Sequence, residues 1–252
     1  MNGPLAGTTV ISLRPAGAHE AMRRAAAAQG AELLALSPWR LAPRDDARTR
    51  AALAAALGAP RVVFTSPVAV SAAKRLERLR PADGAAWLAV GNGTAAALRE
   101  AGVAAVAPAR MDTEGLLALP ELQHVNGLAV GLVTAPGGRG ELAPALQRRG
   151  AHVLRADVYE RIDIPLDEES LAGLYRLQGP AWLALSSGAA LDTILAALPE
   201  DAAAILKQST VVAASDRLAQ IARGHGFAQV VVAASAMPAD LLAAAAAAHP
   251  LA

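Results

Sequence analysis

Residues 29–39, QGAELLALSPW, decide the fold, because residues 149–159, RGAHVLRADVY, repeat their pattern. In both stretches a glycine precedes a short apolar run, which is typical of a loop that enters a β-strand. The two glycines, Gly30 and Gly150, lie 120 positions apart, and this register sets Trp39 opposite Tyr159. The match predicts one structural plan that is used twice.

Two further matches in nearly the same register support the repeat. Residues 62–70, VVFTSPVAV, resemble residues 183–191, LALSSGAAL, so that Ser66 falls opposite Ser187. At the same spacing Thr94 falls opposite Ser215. A single match arises easily by chance in a chain so rich in alanine, but three ordered matches predict two similar lobes.

Short apolar runs that are typical of buried parallel strands alternate with alanine-rich segments of helical period. The predicted strands are 8–13, 31–36, 61–65, 86–90, 103–107, 128–134, 152–160, 181–186, 210–214 and 229–233. Helices are predicted, for example, at 20–29, 69–79, 94–101, 142–149, 189–198 and 217–223. This order predicts an α/β fold with two similar lobes, each a parallel sheet flanked by helices.

Two segments, 36–43 and 155–165, run on from predicted strands into charged sequence bounded by proline. They hold equivalent positions in the repeat. If each leaves one lobe and enters the other, they lie side by side as a two-stranded β connector, and Pro38, Pro43 and Pro165 blunt its edges. We expect a hinge there, with a cleft beside it.

The composition excludes several classes of function. A net charge of +1 gives no field that would attract nucleic acid or an anionic membrane. The chain has no cysteine, which excludes thiolate catalysis and fits a reducing cytoplasm. Its five histidines lack the spacing of metal ligands. The N-terminus does not resemble a signal peptide, and no apolar run approaches the roughly 20 residues that span a bilayer, so we expect a soluble cytoplasmic protein.

Small hydroxyl residues and glycines cluster where predicted strands give way to helices. In an open parallel sheet these joints share the carboxyl edge, where helix N–H groups favour carboxylate or phosphate. Arginines near strand ends add guanidinium forks that pair with carboxylates. The candidate binding residues are Arg14, Thr65, Ser66, Thr94, Gly137, Gly138, Arg139, Arg161, Ser186, Ser187, Ser215 and Arg217. The alternatives are helix N-capping for the hydroxyls and solvated surface for the arginines.

Established catalytic and nucleotide motifs are missing. The chain has no P-loop, and the glycines of GNG at 91–93 do not extend into a dinucleotide-binding motif. No catalytic triad or carboxylate pair stands out in the spacing. An enzyme of this sequence would therefore depend on positioning and on one or two acid/base groups.

Tyr159 is the candidate for such a group. A phenol is protonated at neutral pH and can donate a proton or a hydrogen bond to a leaving oxygen. The alternative is an aromatic side chain half-buried on the connector, which its repeat mate Trp39 favours. Position alone leaves both interpretations open.

The ordered motifs resemble those of the uroporphyrinogen-III synthase family. They are VVFTSPVAV (62–70), AVGNGTAAALREAGV (89–103), TEGLLALPEL (113–122), TAPGGRGELAPALQRRGA (134–151), VYER (158–161) and AASDRLAQIARGHGF (213–227). The resemblance covers roughly residues 8 to 233 and implies crossed lobes. Lobe 1 would be residues 1–35 plus 166–252, lobe 2 would be residues 44–154, and residues 36–43 and 155–165 would connect them.

The resemblance also implies a reaction without cofactor. Hydroxymethylbilane, a linear tetrapyrrole polycarboxylate, would lose water and close to uroporphyrinogen III with inversion of ring D, in heme biosynthesis. The tyrosine of the family's motif falls on Tyr159, where it would assist loss of the hydroxyl. The small hydroxyl positions fall on Ser66, Thr94, Ser187 and Ser215. The sequence departs from the pattern at Ser215, where AASDRL stands in place of a Gly-x-x-Thr sequence.

A monomer that binds no nucleic acid and no membrane is expected, with transient contact to the enzyme that precedes it in the pathway. The competing hypothesis is a two-lobed cytoplasmic sensor that binds a small molecule without catalysis, because a hinge and a cleft do not imply chemistry. A nucleotide-dependent enzyme is a third hypothesis, which the missing motifs disfavour.

Overall fold

A computed structural model describes residues 3–136 and 140–249. The chain divides into two compact units. Unit 1 comprises Met1–Leu41 and Ile162–Ala252, and unit 2 comprises Ala42–Arg161. The chain therefore passes twice between the units.

Strands and helices alternate along most of the described chain. The strands are β1 (Thr9–Ser12), β2 (Glu32–Ala35), β3 (Trp39–Pro43), β4 (Arg61–Phe64), β5 (Ala86–Ala89), β6 (Ala129–Thr134), β7 (His152–Asp157), β8 (Tyr159–Asp163), β9 (Ala181–Leu185), β10 (Thr210–Ala213) and β11 (Val230–Val232). The helices are α1 (Glu20–Ala28), α2 (Ala47–Leu57), α3 (Pro67–Leu76), α4 (Asn92–Glu100), α5 (Thr113–Ala118), α6 (Pro120–Gln123), α7 (Leu142–Arg148), α8 (Glu168–Tyr175), α9 (Gly188–Ala197), α10 (Glu200–Lys207), α11 (Asp216–Gly224) and α12 (Pro238–Ala248).

Unit 1 holds a five-stranded parallel sheet in the order β11-β10-β9-β1-β2. The first two strands of the chain thus join strands of its C-terminal third. Alternate residues face opposite sides of the sheet, and both sides are buried. Ile11 and Leu183 belong to one apolar cluster, whereas Val10 and Trp182 belong to another. Burial on both faces explains why these strands are continuous apolar runs.

Unit 2 holds a four-stranded parallel sheet in the order β5-β4-β6-β7. Its order matches β10-β9-β1-β2 of unit 1, so each half of the sequence repeat contributes two strands to each unit. The strand predicted at 103–107 is wrong in length, because it is only a parallel bridge between Val106 and Leu88. Pro108, which lacks an N–H donor, follows two residues later.

The strand predicted at 152–160 is two strands, and the chain changes partner between them. β7 pairs with β6 as far as Asp157, and β8, which begins at Tyr159, pairs with β3. Val158 between them is fully buried, donates its N–H to the Thr134 carbonyl and accepts from the Arg44 N–H. The two-stranded connector is confirmed, as is the α/β fold with two similar lobes. The finer boundaries predicted for the lobes stay a prediction.

A glycine in β6, one of the two inner strands of unit 2, allows a helix to lie unusually close to the sheet. A Cβ on Gly131 would lie 2.0 Å from the Ala56 carbonyl oxygen of α2. The repeat mate of Gly131 is Ile11, a fully buried side chain that fills the corresponding space in unit 1. The two units therefore share a strand order and differ in how tightly a helix approaches it.

The predicted helices are present with ends shifted by a few residues. α3 begins at Pro67 rather than at the predicted residue 69, because Ser66 caps it by accepting the Ala69 N–H at 3.0 Å. In the described parts of the chain, no helix is long and apolar enough to cross a membrane.

Candidate active site

A cleft of about 370 Å³ opens at the carboxyl edge of the unit 2 sheet. This is the edge where the ends of parallel strands meet the first turns of helices, as expected for a ligand site in this class of sheet. The residues that line it are Thr65, Val90, Met111, Asp112, Thr113, Leu116, Leu132, Thr134, Ala135, Pro136, Gly140, Glu141, Leu142, Ala143, Arg155, Tyr159 and Arg161.

Tyr159 lines this cleft and is held from two sides. Its half-buried ring packs against the apolar cluster on one face of the sheet. Its Oη lies 3.1 Å from Ser66 Oγ, and either hydroxyl can be the donor. Because Ser66 Oγ already accepts the Ala69 N–H, the Ser66 proton is available for Tyr159, which leaves the phenol proton free to point elsewhere. The pair can therefore deliver one proton to a bound group.

Thr65, which precedes Ser66, is tied to the neighbouring strand. Its hydroxyl donates to Thr134 Oγ1 at 2.8 Å, and both threonines line the cleft. The two hydroxyls thus form a polar floor between the ends of β4 and β6, where one hydroxyl proton and the oxygen lone pairs remain for a ligand.

The wall formed by the start of α5 combines a compensated carboxylate with an exposed apolar side chain. Asp112 caps α5 by accepting the Gly115 N–H at 2.8 Å, and it pairs with Arg110. The Gly115 N–H, assisted by the Arg110 guanidinium, holds the pKa of Asp112 below its usual range. Beside it, Met111 is 59% exposed and lies over Gly91, the N-cap of α4. An apolar ligand face could pack on this methionine.

Two arginines and a glutamate complete the polar lining. Arg155 and Arg161 supply cations from β7 and β8, and Glu141 stands exposed at the N-cap position of α7. Asp112 is paired with Arg110 and Arg155 with Asp157, and a guanidinium group of this kind can also hydrogen-bond a ligand's carboxylate. This arrangement suits an anionic ligand with apolar faces.

The predicted residues in unit 1 lie at the carboxyl edge of its own sheet. Ser187 and Ser215 cap α9 and α11, whereas Ser186 and Arg217 are exposed. Arg14 follows β1 and donates from Nη2 to the Ala236 carbonyl at 3.4 Å. Burial lowers the pKa of Arg14 below its usual value.

A buried histidine that the sequence did not single out lies at the same edge of unit 1. His19 is 8% exposed, and its two ring nitrogens lie 3.0 Å from Ser12 Oγ and 2.9 Å from Ser37 Oγ. Burial first, then the charges of Arg23 and Arg14, lower its pKa. The neutral imidazole therefore ties the ends of β1 and β2 to the start of α1.

The predicted residues are distributed unevenly. The structure brings Thr65, Tyr159 and Arg161 to one cleft and Ser66 into contact with Tyr159. Thr94 lies in the first turn of α4, only 2% exposed, and does not line the cleft. The three remaining predicted residues, Gly137, Gly138 and Arg139, lie outside the described residues. No group of three or more histidine, aspartate or glutamate side chains is arranged to hold a metal within residues 3–136 and 140–249.

Comparison with protein families gives one match over most of the chain. A family model described as Uroporphyrinogen-III synthase HemD matches residues 20–243. The chain belongs to the uroporphyrinogen-III synthase family. The resemblance read from the ordered motifs is thereby confirmed.

Two curated uroporphyrinogen-III synthases are similar over part of their length. The protein of Salmonella typhimurium is 31% identical over 125 residues, which are 49% of this chain and 51% of that protein. The protein of Escherichia coli is 30% identical over 153 residues, which are 60% of this chain and 62% of that protein. The chain thus spans between about half and three-fifths of the curated relatives that it matches.

Solved structures of uroporphyrinogen-III synthases share the fold. A mutant of the Thermus thermophilus enzyme superposes with a TM-score of 0.60 at 20% identity, covering 94% of this chain and 97% of that one. The Helicobacter pylori protein superposes with a TM-score of 0.62 at 14% identity, covering 95% and 99%. At such low identity these likenesses show the two-lobed α/β architecture alone.

Several lining residues escaped prediction from the sequence, among them Met111, Asp112, Glu141 and Arg155. Arg155 carried a detectable signal, since Arg155 and Asp157 alternate on a predicted strand and must share a face. Met111 carried none, because an isolated methionine in a loop is equally typical of surface or core.

Proposed function

We propose that this chain is a uroporphyrinogen-III synthase that closes hydroxymethylbilane to uroporphyrinogen III without a cofactor, with loss of water and inversion of ring D. The observation that carries the proposal is the family match over residues 20–243. The cleft of unit 2 supports it, because the cleft offers a hydroxyl donor, cations and an apolar wall together.

Tyr159 acts as the proton donor in this proposal. The terminal hydroxyl of the substrate is a poor leaving group until it is protonated, so a donor held at the cleft accelerates its loss. As the C–O bond breaks, the phenol proton passes to the oxygen and water leaves, so that an azafulvenium ion and the phenolate remain. Transfer of the pyrrole N–H proton to the phenolate then gives the neutral azafulvene and restores the phenol. The Ser66 hydroxyl, 3.1 Å from Tyr159 Oη, orients the phenol and can hydrogen-bond the developing phenolate.

Ring closure depends mainly on how the substrate is held. The azafulvene is reactive, and closure in solution gives the uninverted isomer, so the enzyme must fold the chain until the substituted carbon of ring D is attacked and a spiro intermediate forms. Positioning of this kind can lower a barrier by about 7–11 kcal/mol without further catalytic groups. This accounts for a site with one acid and many binding groups.

The carboxylates of the substrate require hydrogen-bond donors or cations as partners. We assign this role to the residues that the sequence predicted. Helix N-termini and guanidinium groups are suited to this task. The proposed binding residues are Arg14, Thr65, Ser66, Thr94, Gly137, Gly138, Arg139, Arg161, Ser186, Ser187, Ser215 and Arg217. The monomeric state, the cytoplasmic location and transient contact with the preceding pathway enzyme stay predictions.

Ligand-dependent stability tests the proposal against the other hypotheses. Uroporphyrinogen III, kept anaerobic, should raise the melting temperature, because a ligand that binds only the folded state stabilises it. Sugars, amino acids, ATP and NAD should leave the melting temperature unchanged. A shift with sugars or amino acids and none with uroporphyrinogen III would favour a sensor, and a shift with ATP or NAD would favour a nucleotide-dependent enzyme.

A further inference from the structure

Arg155 lines the cleft because the register of β7 places its side chain on the face of the sheet that borders the cleft. On β7 it pairs with Leu132 of β6, and both residues line the cleft. The next pair, Ala156 and Val133, faces the apolar cluster on the other side of the sheet. The alternation of the strand therefore places Arg155, and not its neighbour, at the cleft.

The guanidinium of Arg155 is held by two acceptors on one side. Its Nε and Nη2 lie 3.0 Å and 2.9 Å from Asp157 Oδ1, and Nη2 also donates to the Ala135 carbonyl at 3.1 Å. Within the described chain, its Nη1 makes no hydrogen bond. The group is thus fixed in place with two N–H donors left over.

Stability does not explain this arrangement. The Arg155 and Asp157 side chains are 39% and 26% exposed, and a solvent-accessible ion pair contributes little to folding. The contacts with Asp157 and Ala135 reduce the conformational entropy that Arg155 loses on binding a ligand, because its rotamer is already fixed. Preordering of a cation beside a cleft is a feature of recognition.

We propose that Arg155 binds one carboxylate of the substrate through Nη1, and that Asp157 is a positioning residue that holds the guanidinium toward the cleft. This assignment rests on the proposed function, because it names a contact within that site. Asp157 compensates the charge of Arg155, so the contact is a directional hydrogen bond more than a long-range attraction. Arg155 therefore serves specificity and leaves the chemical step to Tyr159.

The test compares turnover of hydroxymethylbilane by four variants. Arg155→Ala should raise KM about tenfold and leave kcat within about twofold, because it removes binding that is equal in the ground and transition states. Arg155→Lys should recover only part of the loss in KM, since the lysine ammonium cannot both pair with Asp157 and donate to the substrate.

Asp157→Ala, which frees the guanidinium of Arg155, should raise KM about threefold. Arg148→Ala, which removes an exposed arginine of α7 that does not line the cleft, is the matched control and should leave KM unchanged.

Each outcome bears on one hypothesis. An Arg155→Ala variant with a wild-type melting temperature and an unchanged KM would overturn the assignment of Arg155, while type III product from the wild type would keep the proposed function. If Arg155→Ala has a lower melting temperature than the wild type, Arg155→Lys is used in its place. An unchanged KM in Arg155→Lys would also overturn the assignment. A wild-type chain that forms no type III product would refute the proposed function itself.

Discussion

Trp39 and Tyr159 occupy the same position of the repeat but have different roles. Trp39 is 5% exposed and belongs to the apolar core of unit 1. Tyr159 is half-buried against the core of unit 2 and lines a cleft, and its hydroxyl lies 3.1 Å from Ser66 Oγ. Both side chains begin a connector strand, so both need an apolar anchor. Only one of them adds a group that can donate a proton to a ligand.

The serines that precede α3 and α9 repeat this contrast. Ser66 and Ser187 are both N-caps, accepting the N–H of Ala69 at 3.0 Å and of Ala190 at 3.3 Å. Ser66 Oγ has Tyr159 as a second partner, whereas Ser187 Oγ makes no other hydrogen bond in the described parts of the chain. The repeat supplies the scaffold twice, and the pairing of hydroxyls singles out unit 2.

The largest effect is expected from Gly131→Ala in unit 2. The added methyl group would meet the Ala56 backbone at 2.0 Å, so α2 must move, and the free energy of unfolding should fall by about 3 kcal/mol. Urea denaturation measures this fall. Gly224→Ala, where no atom lies within 4 Å of the added Cβ, is the control and should be neutral or slightly stabilising. A harmless Gly131→Ala would mean that the close approach of α2 is not a constraint on unit 2.

Tyr159→Phe tests the functional half of the comparison. Loss of the phenol proton should lower kcat for hydroxymethylbilane roughly 10²-fold, as is typical of general-acid groups, and leave the melting temperature nearly unchanged. Trp39→Phe should do the opposite, because it shrinks a buried anchor at the same repeat position and removes no acid, so the free energy of unfolding falls while kcat stays at the wild-type value. Equal kcat for Tyr159→Phe and the wild type would reduce Tyr159 to packing.

The matched serines should separate capping from catalysis. Ser66→Ala and Ser187→Ala should each lower the free energy of unfolding by about 1 kcal/mol through loss of an N-cap. Only Ser66→Ala should also lower kcat, by about fivefold, since it removes the hydrogen bond that orients Tyr159. Chemical denaturation and steady-state kinetics measure the two effects. A similar loss of kcat in both variants would contradict the assignment of the hydroxyl pair to unit 2 alone.

The smallest effect concerns unit 1 and depends on pH. The pKa of His19 is lower in the folded chain than the usual value of about 6.5, so the unfolded chain binds more protons in the interval between the two. The contribution of His19 to the free energy of unfolding therefore has its full value above about pH 6.5. It decreases as the pH falls through the folded pKa of His19. His19→Gln should flatten the fall in unfolding free energy between about pH 7.5 and pH 5, whereas His124→Gln, at an exposed histidine, should leave the contribution of His19 in place. A wild-type slope in His19→Gln would contradict this role.

The sequence predicted the strands well because both faces of each sheet are buried, so the strands form apolar runs that are easy to recognise. It gave no bounds for α2, whose alanines occur on every side and give no clear apolar stripe. The bridge at Val106 was mistaken for a strand, since a short apolar run does not reveal how many of its residues pair.

Some members of the candidate site were predicted, but the contacts between them were not. Ser66 and Tyr159 were both named, but the hydrogen bond between them joins residues that are 93 positions apart. The alternation of Arg155 with Asp157 indicated a shared face, but Arg155 was not named, because its place at the cleft also depends on the register of β7 against β6. Contacts of this kind depend on tertiary structure, which local pattern does not encode.

Isomer analysis of the wild-type product tests the central claim most directly. The chain is incubated with freshly prepared hydroxymethylbilane, the products are oxidised to porphyrins, and the type I and type III isomers are separated by chromatography. We expect type III to dominate and to form faster than type I does in a sample without protein. Type I alone, at the rate of the sample without protein, would contradict the account.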